Sequence, residues 1–386
     1  MTRAVSHVTL ALTIAFGMQC GRSLPGNEQL GQSLLAFCFY TSCTLRIPRR
    51  VYGQFGSLTT ANSNQGGISA ESLNAPWDVA SDSAQTFIVD RSNHRVLRYV
   101  GTSTVASRVY GQLGSMTTGT ANNGGVTADS LGNPLAVAFD STGVYICDIN
   151  NHRVLFYPGT STTATRVYGQ LGSFTTSTPN NGGISANSLS LPYGVAVDST
   201  GVYIADRGNS RVLFYPGTST TATRVYGQLG SFATATSNNG GISADSMQAP
   251  YRVALDSSGV YIADRDNNRV LFYPGTSTTA SRVYGQSGSF TTATASNGGV
   301  SASSLHFPVG VSVDSNGVYI VEVGTNRMLY FTGSSTTASV VFGQPDFASF
   351  TANADGISGQ SLSNPTGTYG GGPFVADTGN HRVLLY

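Results

Sequence analysis

The sequence repeats itself with a period of 58 residues, and this period constrains the fold more than any other feature. The string RVYGQ occurs five times at that spacing, and a variant, VVFGQ, begins at Val340. A second string, P-x-x-V-A-x-D-S-x-G-V-Y-I-A-D-x-x-N-x-R-V-L-F-Y, occurs six times with the last copy shortened. A repeat of this length is typical of a ring or solenoid built from similar units.

Each repeat predicts four β-strands. In the third repeat these are residues 195–198, 202–206, 211–215 and 224–228. The turn D-S-T-G separates the first two strands, and the second strand is apolar on both faces, as a covered strand should be. No stretch shows a convincing apolar period of 3.6 residues, so we predict an all-β fold.

The two ends of the repeat region favour a closed ring over an open array. The sixth repeat stops at Tyr386 after its third strand, whereas an unpaired fourth strand, residues 50–54, precedes the first repeat. Placing this N-terminal strand on the edge of the last blade completes six four-stranded blades and removes an exposed sheet edge. We therefore predict a six-bladed β-propeller over residues 50–386.

The core motif P-x-G-V-A-V-D-S-x-G-x-Y-I-A-D-x-x-N-x-R-V closely resembles the NHL repeat, a family known to fold as propeller blades. The copies with His before the Arg, at His94, His152 and His381, match best. The family includes ligase substrate-binding domains, kinase sensor domains and an amidating lyase, so the resemblance implies a fold and no single function. Two departures are unusually long linkers between blades and a degenerate fifth blade, with Glu322 in place of Asp.

Composition excludes two classes of protein. Only 10% of the residues are charged and the net charge is +1, so the chain lacks the basic face of a nucleic-acid binder. A hydrophobic fraction of 40% argues against a disordered chain. All 20 basic residues are Arg, whose forked donors make fixed hydrogen bonds, so much of this Arg is expected to be structural.

Residues 1–23 predict a secretory signal peptide. Arg3 precedes an apolar run over residues 8–18, and the small residues Gly21 and Ser23 fit a cleavage site. The run is too short to span a bilayer, so we expect an extracellular or cell-surface protein without a membrane span. Residues 24–49 form a segment to which no motif assigns a role, and Cys38 and Cys43 within it could pair in an oxidising compartment.

The recurring Asp-x-x-Asn-x-Arg suggests a structural element. We expect the Asp to accept backbone N–H bonds in its turn, the Asn to adopt a left-handed conformation and the Arg to pair with a carboxylate. Residues that recur in every blade more often hold the blade than act on a substrate. The predicted structural residues are Asp90, Arg95, Asp148, Arg153, Asp206, Arg211, Asp264, Arg269, Asp377 and Arg382.

Positions that differ between otherwise matching repeats are where a ligand could be recognised. Two such positions follow the Pro of each blade, at the start of the innermost strand, and two more precede the third strand. Aromatic residues and Arg are enriched there, as in recognition surfaces, although drift in exposed loops would also produce variation. The candidate ligand-binding residues are Trp77, Asp78, Arg91, Tyr193, Arg207, Tyr251, Arg252, Arg265 and Asp266.

These observations predict a non-catalytic, monomeric scaffold that binds a protein, peptide or glycan on the face carrying the long inter-blade loops. Two alternatives remain: a lyase-type or lactonase-type enzyme with a metal in the axial channel, and a structural module of a larger surface protein. We expect no cofactor, no metal and no catalytic residue. His94, His152 and His381 lie on different blades, and equivalent points on neighbouring blades are on the order of 10–15 Å apart, too far to share a zinc ion.

Overall fold

The chain forms a six-bladed β-propeller with four antiparallel strands in every blade, which confirms the predicted fold. The computed structural model describes residues 47–370 and 373–386. The predicted signal peptide, Cys38 and Cys43 lie outside the described residues, as does nearly all of the segment 24–49. No helix in the described part of the chain is long and apolar enough to cross a membrane.

Six sheets of four strands are arranged around the axis, and blades are numbered from the first complete repeat. The innermost strands are β2 (Pro76–Ser81), β6 (Pro134–Phe139), β10 (Pro192–Asp198), β14 (Pro250–Asp256), β18 (Pro308–Val313) and β22 (Pro365–Tyr369). The second strands are β3 (Gln85–Asp90), β7 (Gly143–Asp148), β11 (Gly201–Asp206), β15 (Gly259–Asp264), β19 (Gly317–Glu322) and β23 (Phe374–Asp377). The third strands are β4 (Arg95–Val100), β8 (Arg153–Pro158), β12 (Arg211–Pro216), β16 (Arg269–Pro274), β20 (Arg327–Thr332) and β24 (Arg382–Leu385). The outermost strands are β1 (Arg50–Tyr52), β5 (Arg108–Tyr110), β9 (Arg166–Tyr168), β13 (Arg224–Tyr226), β17 (Arg282–Tyr284) and β21 (Val340–Phe342).

The ring closes in blade 6, where β1 pairs antiparallel with β24 in the register Val51↔Leu384. The predicted closure by an N-terminal strand is thus confirmed. The outermost strands are two residues shorter than predicted. In five blades the Gly and Gln that follow the Tyr have positive φ and leave the sheet, and in blade 5 Gly343 has positive φ. At Gly53 (φ 78°) a Cβ would lie 2.9 Å from the carbonyl oxygen of His381, so this position requires glycine.

The apolar core consists of six clusters, each between two neighbouring blades. At every junction an aromatic ring of an outermost strand packs against an aromatic ring of the next blade, on its third strand or, for Tyr386, directly after it, with centroids 4.8–5.1 Å apart. Such pairs add about 0.5–1.5 kcal/mol each beyond the area they bury. The six pairs are Tyr52–Tyr99, Tyr110–Tyr157, Tyr168–Tyr215, Tyr226–Tyr273, Tyr284–Phe331 and Phe342–Tyr386.

The long linkers join each outermost strand to the next innermost strand and pack over one end of the blades. Each linker buries one Leu or Met between blades, with at most 1% of that residue exposed. These buried residues are Leu73, Leu131, Leu189, Met247, Leu305 and Leu362. The linkers and the turns between second and third strands therefore share one face of the propeller, which we call the loop face.

Candidate functional site

The predicted structural residues form a buried clamp in every blade. In blade 3, Arg211 Nε donates to Asp206 at 2.8 Å, and its two other nitrogens donate to the carbonyl oxygens of Ser185, Ser188 and Phe232. Those carbonyls belong to the linkers before and after the blade, so one guanidinium fixes both linkers. The six ion pairs, all with fully buried side chains, are Asp90–Arg95, Asp148–Arg153, Asp206–Arg211, Asp264–Arg269, Glu322–Arg327 and Asp377–Arg382.

Two details of the clamp differ from the prediction. The carboxylate of Asp206 accepts the backbone N–H of Ser190 in the preceding linker and not one in its own turn. The left-handed residue is Ser210, one position after the predicted Asn209. Asn209 instead donates to Asp206 and forms a reciprocal amide pair with Asn180 of the linker.

Asp78 and Arg252, two of the predicted ligand-binding residues, bind each other across the propeller axis. Arg252 Nη1 and Nη2 lie 2.7 Å from Asp78 Oδ2 and Oδ1, and the N–H of Val137 donates to Oδ2 at 2.9 Å. Both side chains are at most 6% exposed. Burial raises the pKa of Asp78, and the Arg252 guanidinium and the backbone N–H bonds oppose that shift. Both residues line the axial cavity.

Small residues occupy the equivalent positions of the other four blades. These are Ala136, Gly194, Gly310 and Gly367. A Cβ on Gly367 would lie 2.6 Å from Asp78 Cα, and one on Gly194 would lie 3.0 Å from Arg252 Cα. Glycine at these two positions therefore lets the innermost strands of blades 6 and 3 lie close against the strands that carry Asp78 and Arg252, which stand on opposite blades, 1 and 4.

Five other side chains form a continuous stack on the loop face of blades 3 to 5. The Arg207 guanidinium lies 4.8 Å from the Tyr193 ring and 5.3 Å from the Tyr251 ring. The Arg265 guanidinium lies 5.1 Å from the Tyr251 ring and 4.4 Å from the Phe307 ring. Contacts of this kind stabilise a cation over an aromatic face. We call the five residues the aromatic–arginine stack.

The sequence predicted four members of this stack and missed Phe307. That residue ends a linker and has a left-handed conformation (φ 50°). Its position is held by Ala, Asn or Leu in the other repeats, so the change to an aromatic was the available signal. The burial of Tyr251 raises the pKa of its phenol, and the neighbouring Arg207 and Arg265 oppose that shift.

The remaining predicted ligand-binding residues lie beside the stack or on blade 1. Asp266 accepts a hydrogen bond from Arg265 Nη1 at 2.6 Å, and both side chains are about one-quarter exposed. On blade 1, the Arg91 guanidinium lies 4.5 Å from the Trp77 ring, and Arg91 Nε donates to the side chain of Asn133. The structure thus resolves the nine candidates into one ion pair, one stack with its acidic neighbour, and one Trp–Arg pair.

The axial channel contains a cavity of about 230 Å³ lined by all six innermost strands. Among its lining residues the one carboxylate is Asp78, which is already bonded through both oxygens to Arg252. Within residues 47–370 and 373–386, no group of three or more His, Cys, Asp or Glu is placed to hold a metal ion.

The three histidines act as acceptors between blades. The Nδ1 of His94, His152 and His381 accepts a backbone N–H from the linker that leads into the next blade, at 2.9–3.1 Å. Asn268 and Asn326 make the same contact through their side-chain oxygens. Burial lowers the pKa of all three histidines, which suits a neutral ring that accepts at Nδ1.

Comparison with known proteins supports the fold. No protein-family model matches the sequence, and no curated protein matches it. Among solved structures, the chain is similar to a structural genomics protein of unknown function from Bacteroides thetaiotaomicron, with a TM-score of 0.54 and 18% identity over 87% of this chain and 75% of that one. Fainter likenesses are to a nidogen/laminin complex (TM-score 0.45, 16% identity, 70% of this chain and 81% of that one) and to virginiamycin B lyase from Staphylococcus aureus (TM-score 0.44, 14% identity, 85% and 98%). At these identities the likeness is one of fold alone.

Proposed function

We propose that this propeller is a non-catalytic scaffold of the NHL-repeat type, located outside the cell, which binds a protein, peptide or glycan on its loop face. The observation that carries this proposal is the aromatic–arginine stack. It gathers two guanidiniums and three aromatic rings on one face, at positions where the repeats differ. Interfaces concentrate their binding energy in Tyr, Trp and Arg residues of this kind.

The contrast between the repeated and the variable arginines supports the same proposal. The clamp arginines, such as Arg211, use all three guanidinium nitrogens in hydrogen bonds to their own blade and its linkers and are fully buried. Arg207 and Arg265 each keep a buried Nε without a partner among the described residues. Both residues are also partly exposed on the loop face, so their guanidiniums can reach a ligand.

A combined peptide and glycan array probed with the full-length protein tests the proposal. We expect ligands whose signal is lost with Arg207→Gln or Arg91→Gln on the loop face. The matched controls are Arg166→Gln and Arg224→Gln, which remove guanidiniums stacked on Phe156 and Phe214 at the outer strands. An array without reproducible ligands, or ligands lost equally with the outer-strand variants, would contradict a binding site on the loop face.

A further inference from the structure

Blades 3 and 4 present equivalent arginines, Arg207 and Arg265, but differ at the next residue. Blade 4 has Asp266 there, and its carboxylate accepts a hydrogen bond from Arg265. Blade 3 has Gly208, so it supplies no carboxylate to its own arginine. The equivalent arginine therefore has a neighbouring carboxylate in blade 4 and none at that position in blade 3.

Arg207 has no polar partner among the residues that the structure describes. Its side chain makes neither a hydrogen bond nor an ion pair there, and its Nε is buried. The rings of Tyr193 and Tyr251 both contact its guanidinium. With its faces stacked, the guanidinium can offer a ligand its in-plane N–H donors, which match a carboxylate in geometry and charge.

We propose that Arg207 binds a carboxylate of an acidic peptide segment in the way that Arg265 holds Asp266. The inference rests on the proposed binding function of the loop face and names the chemistry of its ligand. The ion pairs agree with it. Asp78 neutralises Arg252 and Asp266 neutralises Arg265, whereas no described residue forms an ion pair with Arg207.

An acidic peptide fits this surface better than a uronate-containing glycan. Sugar rings are commonly held on open aromatic faces, but Tyr193, Tyr251 and Phe307 of the stack already contact guanidiniums, as does Trp77 on blade 1. Clusters of Arg, in contrast, are a recurring means of recognising acidic peptide motifs. The Asp266–Arg265 contact shows that a carboxylate on an amino-acid side chain reaches the edge of a stacked guanidinium.

The test measures binding of a fluorescent Ser-Gly peptide containing several glutamates, and of its glutamine counterpart, by anisotropy at low salt. We expect the glutamate peptide to bind and the glutamine peptide not to bind. Arg207→Gln should weaken binding at least about tenfold, equivalent to about 1.4 kcal/mol. Arg166→Gln, which removes a guanidinium stacked 4.6 Å from Phe156, should leave binding unchanged.

A second variant tests the comparison between the blades directly. Asp266→Asn keeps the shape of its side chain and frees Arg265 from its internal carboxylate. We therefore expect it to strengthen binding of the glutamate peptide, and to restore binding when combined with Arg207→Gln. A thermal melt of each variant verifies folding, and Arg207→Lys tests the requirement for the planar fork.

The possible outcomes separate this inference from the proposed function. Equal binding of both peptides, equal losses with Arg207→Gln and Arg166→Gln, or no gain with Asp266→Asn would overturn the role of Arg207. Binding of an oligogalacturonate probe without the glutamate peptide would overturn the peptide ligand. In each of these cases, array ligands whose signal is lost with Arg91→Gln would still support the loop face as a binding surface. The absence of any such ligand would overturn both the role of Arg207 and the proposed function.

Discussion

Asp78 and Arg252 join opposite blades of the propeller through two hydrogen bonds of 2.7 Å across its axis. Blades 1 and 4 share no strand pairing, so this contact links parts of the ring that are otherwise connected through their neighbours. Both residues stand at the same position of the repeat, three units apart, and the four other blades have Gly or Ala there. The variation that predicted a ligand site at this position therefore has an internal explanation.

Removing either partner of this pair should destabilise the propeller substantially. Asp78→Ala or Arg252→Met leaves one buried charge unpaired, which costs on the order of 3–5 kcal/mol. The double variant removes both charges and should lose less than either single variant. Urea unfolding followed by fluorescence measures the four proteins as a double-mutant cycle, and additive losses would show that the two residues do not interact.

The clamp predicts a sharp difference between two arginines four residues apart. Arg211→Met removes donors to one carboxylate and three linker carbonyls in a fully buried site, so we expect a loss of about 3–5 kcal/mol. Arg207→Gln removes no hydrogen bond to a described residue but loses two guanidinium–ring contacts, so we expect a smaller loss of about 1–2 kcal/mol. Equal losses from the two substitutions would argue against separate structural and binding roles.

The repeat pattern predicted the fold nearly completely. The Pro, the D-S-x-G turn and the alternating apolar strands recur at a constant spacing, and the extra strand at residues 50–54 determined how the ring closes. The spacing could also have predicted the cross-axis pair, because positions three repeats apart lie opposite each other in a sixfold ring.

The candidate site was less predictable because it depends on contacts between repeats. The reciprocal amide pair of Asn180 and Asn209 joins a linker to a turn 29 residues away, and no local pattern reports it. Phe307 enters the stack from the end of a linker, where the other repeats have small, polar or aliphatic residues. Side chains of different blades stack because the ring brings neighbouring blades together, and the spacing of residues in the sequence does not show which side chains meet.

Acidification should destabilise the propeller through His94, His152 and His381. Burial lowers their pKa in the folded protein below the unfolded value of about 6.5, so the unfolded chain binds more protons as the pH falls. Their contribution is complete above about pH 6.5 and is lost as the pH falls through the folded pKa. Protonation at Nδ1 would also place a donor against a backbone N–H. Neighbouring carboxylates, Asp148 for His94 and His152 and Asp90 for His94 and His381, moderate the shift.

This effect can be tested by measuring the melting temperature between pH 7.5 and about 5.5 for the wild type and for a variant in which Asn replaces the three histidines. Asn268 and Asn326 make the same inter-blade contact without a titratable group. Replacing the three histidines by Asn should therefore keep the stability near pH 7.5 and flatten its decrease on acidification. A variant that retains the wild-type pH dependence would assign that dependence to other groups.

Closure of the ring by β1 predicts different outcomes for two truncations. A chain starting at residue 47 keeps every contact of β1, including the bond from the N–H of Arg49 to the carbonyl of Leu385 and from the Arg49 side chain to the carbonyl of Tyr386. A chain starting at residue 55 loses these bonds of Arg49, and in addition the pairing of Val51 with Leu384 and the packing of Tyr52 on Tyr99. It leaves β24 as an exposed, apolar edge next to an unfilled junction, which favours association with other chains.

We expect the chain starting at residue 47 to melt cooperatively as a monomer, and the chain starting at residue 55 to aggregate or to melt without cooperativity, as measured by calorimetry and light scattering. A cooperative, monomeric melt of the chain starting at residue 55 would refute the role of β1 in holding the ring together.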